Sequence, residues 1–579
     1  MNLPANDFES QICENKSLFE YRSIRSLEEE LKNRISVYLL VAALCAASLA
    51  PSTLAQSPRS AQASQSKHGN VEAITAAKLK EYLYFVASDE MEGRDTPSRG
   101  LDLTAKFIAL NLALAGVKPG GDNGTYFQSI ALKRSKVDPK ATSAEINGSP
   151  LTIGTDFAAA MSPGAASGSL VFVGNGWYFP SKSLNPYQGI DVRDKIAVVI
   201  GNNPPRGVTF NDIRSAKEGV DFDFPVGYLT KNGAKGMITI AVATTNIEQS
   251  SQRSIERGTN WSVEKFGKDD KVIPSIVISQ NAAARLFEGE RKVAADLVKA
   301  LAAGEAVESF ALNSSKQAKF NVATLPESGH TQNVVGILEG SDPKLKSEYV
   351  AIGAHYDHVG TRSTPLNGDS IYNGADDDGS GTVAVLCIAE AFARGPRPKR
   401  SMLFVWHAGE EKGLWGSRYV TDYPVVPIEQ IVTQLNIDMI GRSRSADDKT
   451  PQNAELTGPN ETYVIGSKMM STELGQLSEA VNAGYLHMTF NYKYDDPKDP
   501  NRFFFRSDHY NYARKGIPII FYFSGVHADY HQPSDSPDKI DYIKYEKIAR
   551  TVMATGWELA NRPVRPKVDK QLPAELSAN

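Results

Sequence analysis

Beyond Phe320 the sequence alternates short, almost wholly apolar runs with helical patterning, and that alternation constrains the fold more than any other feature. The runs lie at residues 349–353 (YVAIG), 401–406 (SMLFVW), 431–437 (IVTQLNI) and 517–522 (IPIIFY), with a helical pattern at 381–394. Strands that are apolar on both faces must be covered on both faces, so the reading is α/β, with a mostly parallel mixed sheet between helical layers. In such sheets ligands bind beyond the carboxyl ends of the strands.

The residues that follow those runs are chemically distinctive. GAHYDH at 353–358 sets His355 and Asp357 two apart, and a carboxylate at that spacing can hold the second nitrogen of a metal-bound imidazole. Alone the pattern is weak, because a structural His/Asp pair looks the same. NGADDDGSG at 373–381 opens a helix with three adjacent acids, Asp376, Asp377 and Asp378. They repel one another unless a cation or the helix amino terminus offsets the charge, and a cap needs only one of them. The alternate acids of a calcium-binding EF-hand are absent.

WHAGEE at 406–411 places Glu410 and Glu411 at a strand exit, facing different ways, so that one can bind metal while its neighbour moves a proton. NIDMIG at 436–441 delivers Asp438, an acid expensive to bury without a partner. RSDH at 506–509 and HADYH at 527–531 complete the series. Five strand-end or loop positions offering imidazole or carboxylate ligands together make a metal site. The absence of thiolates suits zinc with mixed nitrogen and oxygen donors, and the total is enough for two ions sharing a carboxylate. Cys13, Cys45 and Cys387 are too few and too far apart for a disulfide framework or a CxxC site, and Cys387, inside the apolar run 382–392, reads as a buried inert thiol.

With these motifs in order, GAHYDH, NGADDDGSG, GEE, NIDMIG and YHQPSD, the chain resembles the co-catalytic di-zinc exopeptidases, a family that includes secreted bacterial leucyl aminopeptidases, glutamate carboxypeptidase and glutaminyl cyclase. The resemblance covers about residues 71–134 and 321–557. It implies two zinc ions per chain: His355 and Asp438 on one, Glu411 and His531 on the other, Asp377 bridging. It further implies Glu410 as general base, Asp357 as the group that orients His355, Tyr530 as an oxyanion donor, and a cis peptide after Asp377. Asp508 and His509 match an SDH element near the site and are read as support, not as ligands. The implied activity is release of amino-terminal residues from peptides or unfolded protein ends. The alternatives are a carboxypeptidase of the glutamate type, which needs arginines such as Arg442 or Arg506 on a substrate carboxylate, a glutaminyl cyclase, or a receptor-like relative without catalysis.

The remaining sequence sets the organisation. Residues 135–320 turn to short β-rich runs separated by Gly, Pro and Asn, without a ligand cluster, and resemble a protease-associated domain inserted into the peptidase domain, whose parts are 71–134 and 321–560. Residues 35–50 (ISVYLLVAALCAASLA) form an apolar stretch of signal-peptide length, so 1–55 reads as an export segment, with 34 residues ahead of the stretch that are long for a signal and point to a later start codon, and 56–70 as a polar linker. The expectation is a periplasmic or extracellular protein without a stable membrane span after cleavage, or, if the segment is retained, a tethered one. Residues 561–579 read as a solvated tail. The net charge of −4 and a pI near 6.2 provide no basic field for nucleic acid, and nothing demands a dimer.

Overall fold

The computed structural model describes residues 67–571 apart from 202–203, 243–244, 268–271 and 306. The expected export segment, residues 56–66 of the linker and the last eight residues of the tail lie outside the described residues. Among the described residues no helix is long and apolar enough to cross a membrane.

A ten-stranded mixed sheet carries the architecture. Its centre is four parallel neighbours in the order Ile519–Phe523, Ile431–Ile437, Tyr349–His355 and Ser401–His407. Pleating sends alternate side chains to opposite faces. Val350, Ile352 and Ala354 join Met402, Phe404 and Trp406 in one core, whereas Ala351, Leu403 and Val405 enter the other. The first face is covered by the helices Ala76–Val86, Arg99–Ala115, Gly381–Arg394 and Tyr542–Asn561. Thr75 and Ser98 cap the first two by accepting from the backbone N–H of Lys78 and Leu101. Gly116, at φ 78°, ends the second in a left-handed turn.

The mixed α/β class is as read from the sequence, but the parallel character is confined to the centre. Thr324–Leu338 runs antiparallel to both Ser401–His407 and Phe127–Val137, and Glu461–Ile465 runs antiparallel to Ile519–Phe523. The first half of Thr324–Leu338 is largely exposed, and antiparallel ladders tolerate a wet face where parallel ones do not. Phe127–Val137, which the sequence placed in a helical opening, runs across the expected boundary between residue 134 and the insert starting at 135.

A second sheet of nine strands gathers residues 143–322 around its own apolar core. It is not purely β: it holds parallel neighbours Gly164–Phe172, Ile196–Ile200, Gly236–Ile240 and Ser275–Ile278, with helices such as Ile247–Glu256 and Gln280–Leu286. The short strand Ser262–Val263 leaves this segment to pair with Phe127–Val137, which brings residues 247–263 alongside the first sheet. Cys387 is buried in Gly381–Arg394, and burial pushes its thiol up to about 12.

Candidate metal centre

Register determines what meets at the end of the central strands. His355 pairs across to His407, Gly353 to Asn436 and Ile437 to Tyr522, so the strands finish level with one another. The segments that follow, carrying Asp357, Glu410, Glu411 and Asp438, therefore emerge at one edge.

The three adjacent acids divide their work. Asp376 accepts from the backbone N–H of Gly441 at 2.6 Å and lies 3.2 Å from His527 Nε2. Asp378 accepts from the N–H of Gly381 (2.8 Å) and Met439 (3.1 Å), tying the helix start to the loop after Asp438. Asp377 lies between two of the histidines: Oδ1 is 3.3 Å from His355 Nε2, and Oδ2 is 3.0 Å from His531 Nε2. The Asp377–Asp378 peptide is cis.

Around Asp377 stand two groups of donors, each with its ligand atoms within 4.8 Å of one another: His355, Asp378 and Asp438, and His358, Asp377, Glu411 and His531. His355 Nε2 is 3.7 Å from Asp438 Oδ1, and His531 Nε2 is 3.0 Å from Glu411 Oε1. Tetrahedral zinc with bonds of about 2.0–2.1 Å sets its donors roughly 3.3–3.4 Å apart, so these separations fit donors converging on shared cations. Asp377 Oδ2 and His531 Nε2 are buried and, although 3.0 Å apart, make no directed hydrogen bond, as expected of atoms aimed at a common third point.

Electrostatics point the same way. Burial opposes charge on His355, yet Glu410, Asp357, Asp377 and Asp438 together hold it well above the ordinary imidazole range. His531 is carried up to about 10 by Asp377 and Glu411 against its own burial. Glu410 is pushed well above the carboxylate range by its removal from water, with Glu411, Asp438 and Asp508 adding to the shift and His355 opposing it. So dense an acidic field around neutralisable imidazoles calls for a cation, whose charge would reverse these shifts.

The expected site residues are thus brought together, with some details of their own. His355 Nδ1 lies 3.1 Å from the Asp357 main-chain carbonyl and 3.6 Å from its carboxylate, while that carboxylate accepts from the N–H of Glu410 (3.1 Å) and Glu411 (3.4 Å). Tyr530 stacks on His531, its phenol kept protonated by burial and by Asp377 and Glu411. It lines a pocket with Asp377, Glu410, Asp438, Met439, Phe503, Arg506, Phe521, Phe523 and Val526. Asp508 lies 3.2 Å from His407, and His509 stacks on Phe521, where burial pushes it down to about 3; neither touches the donors.

Four contributors were not singled out by the sequence reading. His358 Nδ1 is 3.0 Å from Glu411 Oε1 and 3.6 Å from Asp377 Oδ2; it stands one residue past Asp357, in the motif itself. Asp535, in YHQPSD, accepts from the N–H of both Asp376 and Asp377, at 3.0 and 3.1 Å. Ser507 donates to Asp438 at 2.6 Å and accepts from Asn436. Arg94 is fully buried and donates to the carbonyls of Val86, Tyr356, Asn373 and Gly374 at 2.7–2.9 Å, binding the helical opening to both donor loops.

Residues 333–556 match peptidase family M28. Among curated relatives, a probable zinc metalloprotease of Pyrenophora teres f. teres is 27% identical over 358 residues, which is 56% of this chain and 68% of that protein. A probable leucine aminopeptidase of Trichophyton verrucosum is 26% identical over 237 residues, 39% of this chain and 57% of that protein. Among solved structures, an aminopeptidase from Aneurinibacillus sp. strain AM-1 is 17% identical, with TM-score 0.47 over 87% of this chain and 97% of that one.

Proposed function

With a peptidase family M28 domain at residues 333–556 as the premise, we propose that the chain is a zinc-dependent aminopeptidase that releases amino-terminal residues from peptides. The observation that carries the reading is the single carboxylate of Asp377 facing His355 through one oxygen and His531 through the other. The donor set fits two zinc ions: His355, Asp438 and Asp377 for one, His531, Glu411 and Asp377 for the other, with His358 beside the second. When bound, zinc supplies Lewis acidity at the scissile carbonyl and makes water acidic enough to lose a proton near neutral pH.

The protein's own residues do the rest. Asp357 fixes the backbone of Glu410 and Glu411, so the two carboxylates divide between proton transfer and ligation. Glu410, lining the pocket beside Asp377 and Asp438, takes the proton from the attacking water and returns it to the leaving amine. Tyr530 donates its hydroxyl to the developing oxyanion. The apolar wall of Met439, Phe503, Phe521, Phe523 and Val526 receives the terminal side chain.

The glutamate-carboxypeptidase reading has one observation in its favour, Arg506 in that pocket wall. Arg442 does not add to it, being paired with Asp529 at 2.9 Å. Residues 135–320 are read as the protease-associated insert, its sheet lying within 143–322, and the chain as an exported protein.

Metal analysis tests the centre. The purified chain is expected to hold about two zinc ions, Asp377→Ala to lose both, and His358→Ala to bind the second about 10–100-fold more weakly, the usual loss when a side chain that holds a metal ligand in place is removed. Two retained zinc ions in Asp377→Ala would remove the bridge from the account.

A further inference from the structure

We infer that a cleft between the helix Ile247–Glu256 and the metal-site loops binds a carboxylate on the leaving portion of the substrate, through Arg253 and Arg257. The inference rests on the aminopeptidase reading for which end of the peptide lies there. The apolar pocket on the Asp438 side takes the terminal side chain, so the remainder of the peptide leaves past Glu411.

On that side is a cleft of about 1010 Å3, lined by Glu411 and Lys412 from one wall and by Arg253, Arg257 and residues 258–261 from the other. Its volume is at the upper end of the roughly 300–1,000 Å3 typical of small-molecule sites, room for several residues of peptide. Trp261 and Trp415 add flat apolar surface.

The charges in the cleft are already matched, with two exceptions. Lys412 pairs with Asp95 at 2.6 Å, Arg134 pairs with Glu327 at 2.7 Å and lies over the Trp261 ring, and Glu411 faces the donor set. Among the described residues, the guanidinium groups of Arg253 and Arg257 have no hydrogen-bond or ion-pair partner. They also line a neighbouring cavity of about 390 Å3, whose one acid, Glu256, accepts from Gln252. A single cation near a helix carboxyl terminus is ordinary, but like charges four residues apart repel. Two of them lining the route out of the reaction site make a receptor for an anion, and a guanidinium fork matches a carboxylate. The overall charge of −4 argues against a polyanion as the occupant.

The carboxylate has two possible sources, the carboxyl terminus of a short peptide or an acidic side chain. The test uses Leu-Gly-Gly-Gly as free acid, as carboxyl-terminal amide, and as an amide with Glu at the third position. Turnover and binding, the latter read by tryptophan fluorescence, are measured on the full chain and on Arg253→Ala/Arg257→Ala. The native chain should favour one carboxylate-bearing peptide over the plain amide by about tenfold in KM and Kd. The double variant should lose that preference while keeping kcat, and Arg253→Lys/Arg257→Lys should restore part of it. Preference for the free acid identifies the peptide terminus as the source, and preference for the Glu peptide identifies the side chain. Equal preference in the native chain and the alanine variant, or none in the native chain, overturns the inference. Arginine-dependent binding without turnover would uphold it and reject the aminopeptidase reading instead.

Discussion

Glu410→Gln is expected to lower kcat by about 10²- to 10⁴-fold while leaving zinc content and fold unchanged. The side chain keeps its size, and its backbone N–H keeps the bond to Asp357, so the turn that presents Glu411 is undisturbed. What disappears is a carboxylate that can accept a proton from water and pass it to the leaving amine. Parallel measurement of kcat, KM and bound zinc distinguishes this from loss of a ligand, which would remove metal and activity together. A variant that holds two zinc ions and keeps most of its kcat would show that the proton moves through another group.

The second large effect lies outside the donor set. Arg94→Ala is expected to destabilise the chain by about 3 kcal/mol or more, since a charged donor contributes about 1.5–3 kcal/mol per buried hydrogen bond and four carbonyls would lose theirs. Against a total stability of about 5–15 kcal/mol, that is a large fraction. Zinc binding should weaken with it, because Asn373 and Gly374 precede Asp377 and Tyr356 follows His355. Denaturant unfolding at saturating zinc measures the effect. Arg94→Lys, which keeps the charge but not the planar fork, should recover only part of it. A change within about 0.5 kcal/mol, the range of an ordinary surface substitution, would contradict this role.

The sequence shows the donors better than what supports them. His355, Asp377, Glu411 and Asp438 follow apolar runs or open a helix, and a periodic pattern that stops at a ligand-type residue is visible without coordinates. The central strands are legible for the same reason: Ser401–His407 is buried on both faces and reads as one apolar run from Met402 to Trp406. Phe127–Val137 was missed because, although its burial alternates from Gln128 to Leu132, one buried position is the polar Gln128 and the charged run 133–136 continues no apolar alternation. The partners of the donor loops were missed for a different reason. Arg94 works by reaching carbonyls of residues up to 280 positions away, and carbonyls carry no sequence signal. Asp535 likewise holds the backbone of Asp376 and Asp377 across about 160 residues. His358 could have been found, since it stands in the same motif as His355. Chain separation also hides the cleft beside Glu411, because Arg253 and Lys412 belong to segments that meet only when Ser262–Val263 joins the first sheet.

The most direct test of the central claim is hydrolysis of a peptide with a free amino terminus and of its acetylated twin by the purified chain, before and after chelation and again after zinc is restored. The account predicts that only the free peptide is cut, one residue at a time from its amino end, and that activity falls with chelation and returns with zinc. Cleavage of both peptides from the carboxyl end, or chelator-resistant cleavage, would contradict it.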